Sequence, residues 1–284
     1  MQGIASPVLG GLAITASWSL TLLLGVFVLS KGWLHSDVLD AFSSGTDKRL
    51  VPLLVIIGGA IAFCLLGLWD DRKPMSAKFK LFLQIAIAAI VAKWGVQITF
   101  FSSNPILTWL LTFCWLMFVL NAINFYDNMD GLCTGVTAIA ATMFFLVAAL
   151  QGQYLVATLA IVTAAVTFGF YAYNCNPASI FMGDSGSHFC GYMLGVLGAL
   201  LTYYDAETSF GTYHFLVPFA ILALPIFDTF AVIVIRLRLR QPIYIGDNNH
   251  ISHRFVKMGY SRRCSVLMIH LFCIVAGLSG VALM

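Results

Sequence analysis

The chain has 284 residues, of which 60% are hydrophobic and 10% charged, with a net charge of +3. Ordinary soluble domains carry about 25% charged residues, so this composition and a mean hydropathy of +0.93 exclude a soluble globular fold and place the chain in a bilayer. The small positive balance gives no reason to expect a nucleic-acid partner. The seven cysteines form no CxxC pair and lie mostly in apolar stretches, so they read as packing residues, not a disulfide frame or a zinc site.

A spanning helix needs roughly 20 mostly apolar residues. Nine such stretches occur: Val8–Leu29, Val51–Trp69, Phe79–Ile98, Ile106–Ala122, Leu132–Leu150, Tyr154–Tyr173, His188–Thr202, Tyr213–Ile235 and Cys264–Leu283. The seventh is short and rich in glycine. The apolar runs are continuous rather than alternating, which predicts helices and not barrel strands. The expectation is an all-α, polytopic bundle of about nine transmembrane helices, forming one membrane domain over residues 1–284. The first stretch is too long for the apolar core of a cleavable signal and has no basic segment before it, so none is expected.

With the loops numbered one to eight, the even loops share the side of the N-terminus. That side holds Arg72, Lys73, Lys78, Lys80, Arg236, Arg238, Arg240, Arg254, Lys257, Arg262 and Arg263, which is 11 of the 15 lysines and arginines. The positive-inside rule makes it cytoplasmic. The acids follow the same side. Glu207 is the single glutamate beside 11 aspartates, and Asp70, Asp71, Asp127, Asp130, Asp184 and Asp247 lie in even loops or at the helix ends bordering them. Asp228 lies inside the eighth stretch. Carboxylates at a bilayer are costly to keep, which makes them functional candidates.

Four even-side segments carry this chemistry. In Gly67–Lys80, the adjacent Asp70 and Asp71 end one helix, and a basic stretch with Lys78 and Lys80 opens the next. Paired carboxylates suit a metal site or a general base; the lysines also fit plain positive-inside residues. Asn121–Leu132 gathers Asn121, Asn124, Asp127, Asn128 and Asp130, hard oxygen donors of the kind Mg²⁺ takes, although Asp130-Gly131 also favours a turn. In Ser179–Ser187, Gly183 and Gly186 flank Asp184 and let the backbone approach a ligand closely; Asp184 or Ser185 equally fits a helix cap. Gly246–Arg254 carries His250, His253 and Arg254, which with Lys257 suit an anion better than zinc. His35, His188, His214 and His270 have no partners at useful spacing. Asp228 fits a buried hydrogen-bonded acid or a group that supports the site from behind. Hard oxygen donors beside lysines and arginines hold a diphosphate and stabilise phosphoryl transfer.

In this order the segments resemble the polyprenyl-phosphate N-acetylhexosamine-1-phosphate transferase superfamily over nearly the whole chain. Asp70-Asp71 with Lys80, Asn121–Leu132 (NAxNxxDxxDGL), Phe181–Ser187 (FMGDxGS) and the His250/His253 loop are similar to its four motifs. The His-Ile-Ser-His-Arg form resembles the UDP-GlcNAc branch. The resemblance implies that a polyprenyl (undecaprenyl) phosphate attacks the β-phosphate of a UDP-N-acetylhexosamine and releases UMP, as the first membrane step of cell-envelope polysaccharide synthesis. It implies Mg²⁺, with Mn²⁺ as the alternative ion, held by Asp184 and then Asn124, with Asp127 beside it. Lys80 would contact the diphosphate, and Asp70, paired with Asp71, would activate the lipid phosphate. Asn128 and Asp130 would lie near the nucleotide, Lys78 beside the substrate, and His250, His253 and Arg254 on the sugar or phosphates. A homodimer in the inner (plasma) membrane is the expected assembly.

One departure stands out. Members carry a further helix and a basic segment before a Pro-x-x-Gly-Gly stretch, whereas Pro7–Gly11 here lies six residues from Met1. The expectation is that the first helix is missing or that the start is placed too late, and a real loss leaves an inactive relative as one reading. The phospho-MurNAc-pentapeptide transferase of peptidoglycan synthesis is a second, and an ion-coupled transporter a third; a transporter would set its acids near the midplane.

Overall fold

The computed structural model describes residues 9–31, 37–99, 104–201, 214–242 and 249–284. Among them no strand occurs. The helices are α1 (Gly10–Ser30), α2 (Asp37–Arg72), α3 (Ala77–Trp94), α4 (Pro105–Tyr126), α5 (Leu132–Leu150), α6 (Tyr154–Asn174), α7 (Gly183–Leu201), α8 (Val217–Ile221), α9 (Ala223–Arg238), α10 (Ile251–Lys257) and α11 (Arg262–Ala282). The chain is a polytopic helical membrane protein.

All nine predicted stretches carry helices. Six are long and apolar enough to cross a membrane, namely α1, the part of α2 from Leu50, α4, α5, α6 and α11; the pair of the 214–221 segment and α9 makes a seventh if it counts as one span. The two others differ for physical reasons. Lys78, Lys80 and Lys93 fall within the 18 residues of α3. Most of α7 is enclosed by protein rather than lipid, so it tolerates the buried Ser185, Ser187 and His188. The predicted eighth helix bends by 69° at Leu222. Pro225 has no N–H, and its ring crowds the carbonyl of Ile221, four residues back.

The core forms where α7 passes between α2, α4, α1 and α5. Close backbone approach makes this possible. A Cβ on Gly67 of α2 would lie 2.3 Å from the Asp184 carbonyl oxygen, and one on Gly186 would meet the Met182 side chain and the Gly11 backbone. Gly186, read from the sequence as room for a ligand, therefore gives room to α1. Buried side chains then tie helices to one another. Trp18 Nε1 donates to Thr163 Oγ1 at 2.9 Å, Tyr192 Oη to the Ile56 carbonyl at 3.0 Å, and Trp115 Nε1 to the Gly195 carbonyl at 2.9 Å. Such contacts replace the hydrophobic drive that lipid removes between helices. All seven cysteines are free.

Candidate active site

Local signals bring the even-side helix ends together. Ser76 caps α3 by accepting from Phe79 N, and Ser261 caps α11 by accepting from Cys264 N. After α4, the chain turns through Asp127–Asp130 and enters α5 over Gly131, whose φ of 75° is natural only for glycine. Two polar side chains of the turn go to different places, Asn128 to Ser252 and Asp130 to Asn176 and Ala178.

The first cluster centres on Lys80. Its Nζ pairs with Asp70 Oδ2 at 2.9 Å and with Asp184 Oδ2. The other oxygen of Asp70 accepts from Met75 N at 2.7 Å. Asn124 Nδ2 donates to Asp184 Oδ1 at 2.9 Å and to Ser187 Oγ at 2.8 Å. Residues from α2, α3, α4 and α7 thus meet around Lys80 and Asp184. Burial alone would raise the Asp184 carboxyl; the Lys80 ammonium outweighs it and holds the group below the ordinary carboxylate range.

Asp71 does something different from its neighbour. Its two oxygens accept from Asp184 N at 2.8 Å and from Ser185 N at 3.1 Å. It therefore caps the start of α7 from another helix and fixes Asp184 in place, where the sequence reading set it among the catalytic groups and gave the cap to Asp184 or Ser185.

Asp127 is the C-cap of α4, and its side chain is open to solvent. The protein around it strips part of its hydration, and the charges of Asp184, Asp71 and Asp130 add to this. Together they raise its pKa from 3.8 toward about 7, a shift moderated by the water on its open side. The carboxylates of Asp70, Asp71 and Asp184 gather around the single ammonium of Lys80.

The second cluster joins the α4–α5 turn, α9 and α10. Asn128 Oδ1 accepts from Ser252 Oγ at 2.6 Å. Buried Asp228 of α9 accepts from His250 Nδ1 at 2.7 Å and from Ile251 N at 2.7 Å. Arg254 is exposed, and its Nε donates to the Asn249 carbonyl at 2.9 Å. His253 is half-buried on α10. Asp247 lies outside the described residues.

Two expected site residues stand apart from these clusters. Lys78 is exposed, two residues from Lys80 and so on another face of α3, and makes no ion pair among the described residues. Asp130, expected near a nucleotide, accepts from Asn176 Nδ2 at 3.0 Å and Ala178 N at 3.2 Å, which fastens the α6–α7 connection. Two residues escaped the sequence reading. His188 Nδ1 donates to the Asp184 carbonyl, and Gln84 Nε2 donates to His188 Nε2 at 2.9 Å, both side chains buried. Spacing of four was the available signal: Lys80 and Gln84 share a face of α3, as Asp184 and His188 share a face of α7. The reading of His188 as partnerless is corrected accordingly.

The donor set fits Mg²⁺. Among the described residues no three His, Cys, Asp or Glu side chains form a metal cage. Mg²⁺ does not need one, since it is commonly held by one or two carboxylates with substrate phosphates and water. Asp184 with Asn124 and the nearby Asp127 supplies hard oxygens of the kind that ion takes.

The glycosyl transferase family 4 model matches residues 53–202, a range that spans Asp70 through Asp184. The chain is 38% identical over 247 residues to the "Probable undecaprenyl-phosphate N-acetylglucosaminyl 1-phosphate transferase" of Bacillus subtilis, covering 84% of this chain and 67% of the relative. It is 30% identical over 295 aligned positions to the decaprenyl-phosphate N-acetylglucosaminephosphotransferase of Mycolicibacterium smegmatis, covering 94% and 69%. Similarity to the phospho-N-acetylmuramoyl-pentapeptide-transferase of Staphylococcus carnosus is 29% over 231 residues, covering 74% and 65%. The chain belongs to glycosyl transferase family 4.

Proposed function

We propose that this protein transfers N-acetylglucosamine-1-phosphate from UDP-GlcNAc to a polyprenyl phosphate and releases UMP. The observation that carries the reading is the meeting of Asp70, Lys80, Asn124 and Asp184 at one end of a membrane bundle. A lipid phosphate can reach such a site from the bilayer while a soluble diphosphate enters from water. The choice of GlcNAc follows the relatives with 38% and 30% identity, whose names specify it.

In this reading a lipid phosphate oxygen forms a bond to the β-phosphorus of the donor. The bond from that phosphorus to the bridging oxygen breaks, and UMP leaves with the oxygen and its electron pair. Asp184 and Asn124, with Asp127 beside them, would hold Mg²⁺; when bound, it neutralises charge on the diphosphate. Lys80 stabilises the charge that develops on the transferred phosphoryl group. Asp70 orients Lys80 and receives the lipid phosphate next to it. Asn128, His253 and Arg254 close the site over the nucleotide sugar. Asp71, Asp130, Gln84 and His188 hold these groups in register. The site faces the cytoplasm of the inner membrane, on the side rich in lysine and arginine.

The test is a donor panel. Purified protein with polyprenyl phosphate and Mg²⁺ should release UMP from UDP-GlcNAc and form a lipid-diphosphate-GlcNAc detectable by mass spectrometry. Release only from UDP-MurNAc-pentapeptide would move the substrate to the peptidoglycan branch. No release from any UDP-amino sugar would overturn the reading.

A further inference from the structure

A carboxylate inside the apolar helix α9 is expensive, and Asp228 is 3% exposed. Its two oxygens are both spent on the start of α10, one on the His250 ring and one on Ile251 N. Because a carboxylate accepts, His250 Nδ1 carries the hydrogen. The His250 ring is itself buried, at 4% exposure, and its Nε2 makes no hydrogen bond among the described residues. Ser252, two residues on, is fully buried and bonded to Asn128. The first turn of α10 is thus fastened at two points, while Arg254 and Lys257 further along it are exposed.

We propose that Asp228 and His250 form a docking pin. Asp228 acts through His250 Nδ1 to seat α10 against α9, and so sets the Asn128–Ser252 contact and the placement of His253 and Arg254 over the diphosphate. In this account His250 is a positioning residue and touches no substrate. Both the buried ring and the direction of its hydrogen bond support this, and the kinetic part of the claim rests on the transferase reading above.

Side-chain isosteres separate the two nitrogens of the ring. The Asn amide nitrogen sits near the place of Nδ1, and the Gln amide nitrogen near that of Nε2. His250→Asn should therefore keep at least a third of wild-type kcat/KM, while His250→Gln, His250→Ala and Asp228→Asn lose tenfold or more. The loss should fall mainly in KM for UDP-GlcNAc. Asp228→Asn combined with His250→Ala should be no worse than either alone. A second readout needs no turnover. Tryptic cleavage of the detergent-solubilised full chain after Arg254 and Lys257 should quicken at least fivefold in Asp228→Asn and His250→Gln, but not in His250→Asn. If His250→Gln retains function and His250→Asn loses it, Nε2 is the working atom and the pin is overturned. Unchanged proteolysis in Asp228→Asn overturns it as well. Altered proteolysis in a protein whose wild type releases no UMP keeps the pin and removes the transferase reading.

Discussion

Lys80 of α3 and Asp184 of α7, 104 residues apart in the chain, form an ion pair at the even-side end of the bundle. Asp70 holds the same ammonium from α2. Three helices thus depend on one cation, and its removal leaves two carboxylates facing each other. Lys80→Ala should lower kcat/KM for UDP-GlcNAc by roughly 10²–10³-fold. Lys80→Arg keeps the charge but changes its shape, and should recover only part of the loss. Steady-state UMP release measures both.

Asp71 predicts a different pattern from Asp70. In Asp71→Asn one of the two N–H groups at the start of α7 loses its acceptor. The cost should be about 1 kcal/mol, or roughly 2–4 °C in the thermal midpoint. Turnover should fall with it, since Asp184 shifts on its turn of helix. An unchanged midpoint in detergent would remove Asp71 from the capping role.

Gln84 and His188 give a test by pairs. Gln84→Leu strands a buried ring nitrogen, at a cost of roughly 1–3 kcal/mol. Replacing both partners by leucine removes the unmet group too, so the double variant should be less damaged than the sum of the singles. Thermal midpoints of the two singles and the double measure the coupling.

Asp127 sets a pH dependence. Its folded-state pKa is raised from 3.8 toward about 7, so the folded chain binds the extra proton between these values. The contribution of Asp127 to the stability of Mg²⁺-free protein is therefore fully present below about pH 4 and is lost as pH rises through about 7. Asp127→Asn should flatten this slope in thermal midpoints taken from pH 4 to 8. Added Mg²⁺ should reverse part of the decline by stabilising the carboxylate.

Composition and continuous apolar runs revealed the helices because lipid demands both. They revealed least where protein takes the place of lipid. Buried α7 starts at Gly183 rather than His188, since Asp71 supplies a cap that no local pattern records. The helix that ends at Arg72 extends back to Asp37, over charged residues that an apolar count passes by. The hard-oxygen residues of Asn121–Leu132 were visible as a cluster, but their division of labour was not. Asn124 turns to Asp184, Asn128 to Ser252 and Asp130 to Asn176, and only the fold decides which neighbour each one meets. Asp228 was legible as a costly acid but not as the partner of His250, because the bond crosses from α9 to a separate short helix.

Asp184 is the point where α3, α4 and α7 converge. Its direct test is Mg²⁺-dependent UMP release by Asp184→Ala beside wild type, with both proteins shown by circular dichroism and gel filtration to be folded. The variant should retain less than a hundredth of the wild-type rate at saturating UDP-GlcNAc and polyprenyl phosphate. A folded Asp184→Ala protein that keeps a wild-type, Mg²⁺-dependent rate would contradict the placement of the reaction at this carboxylate.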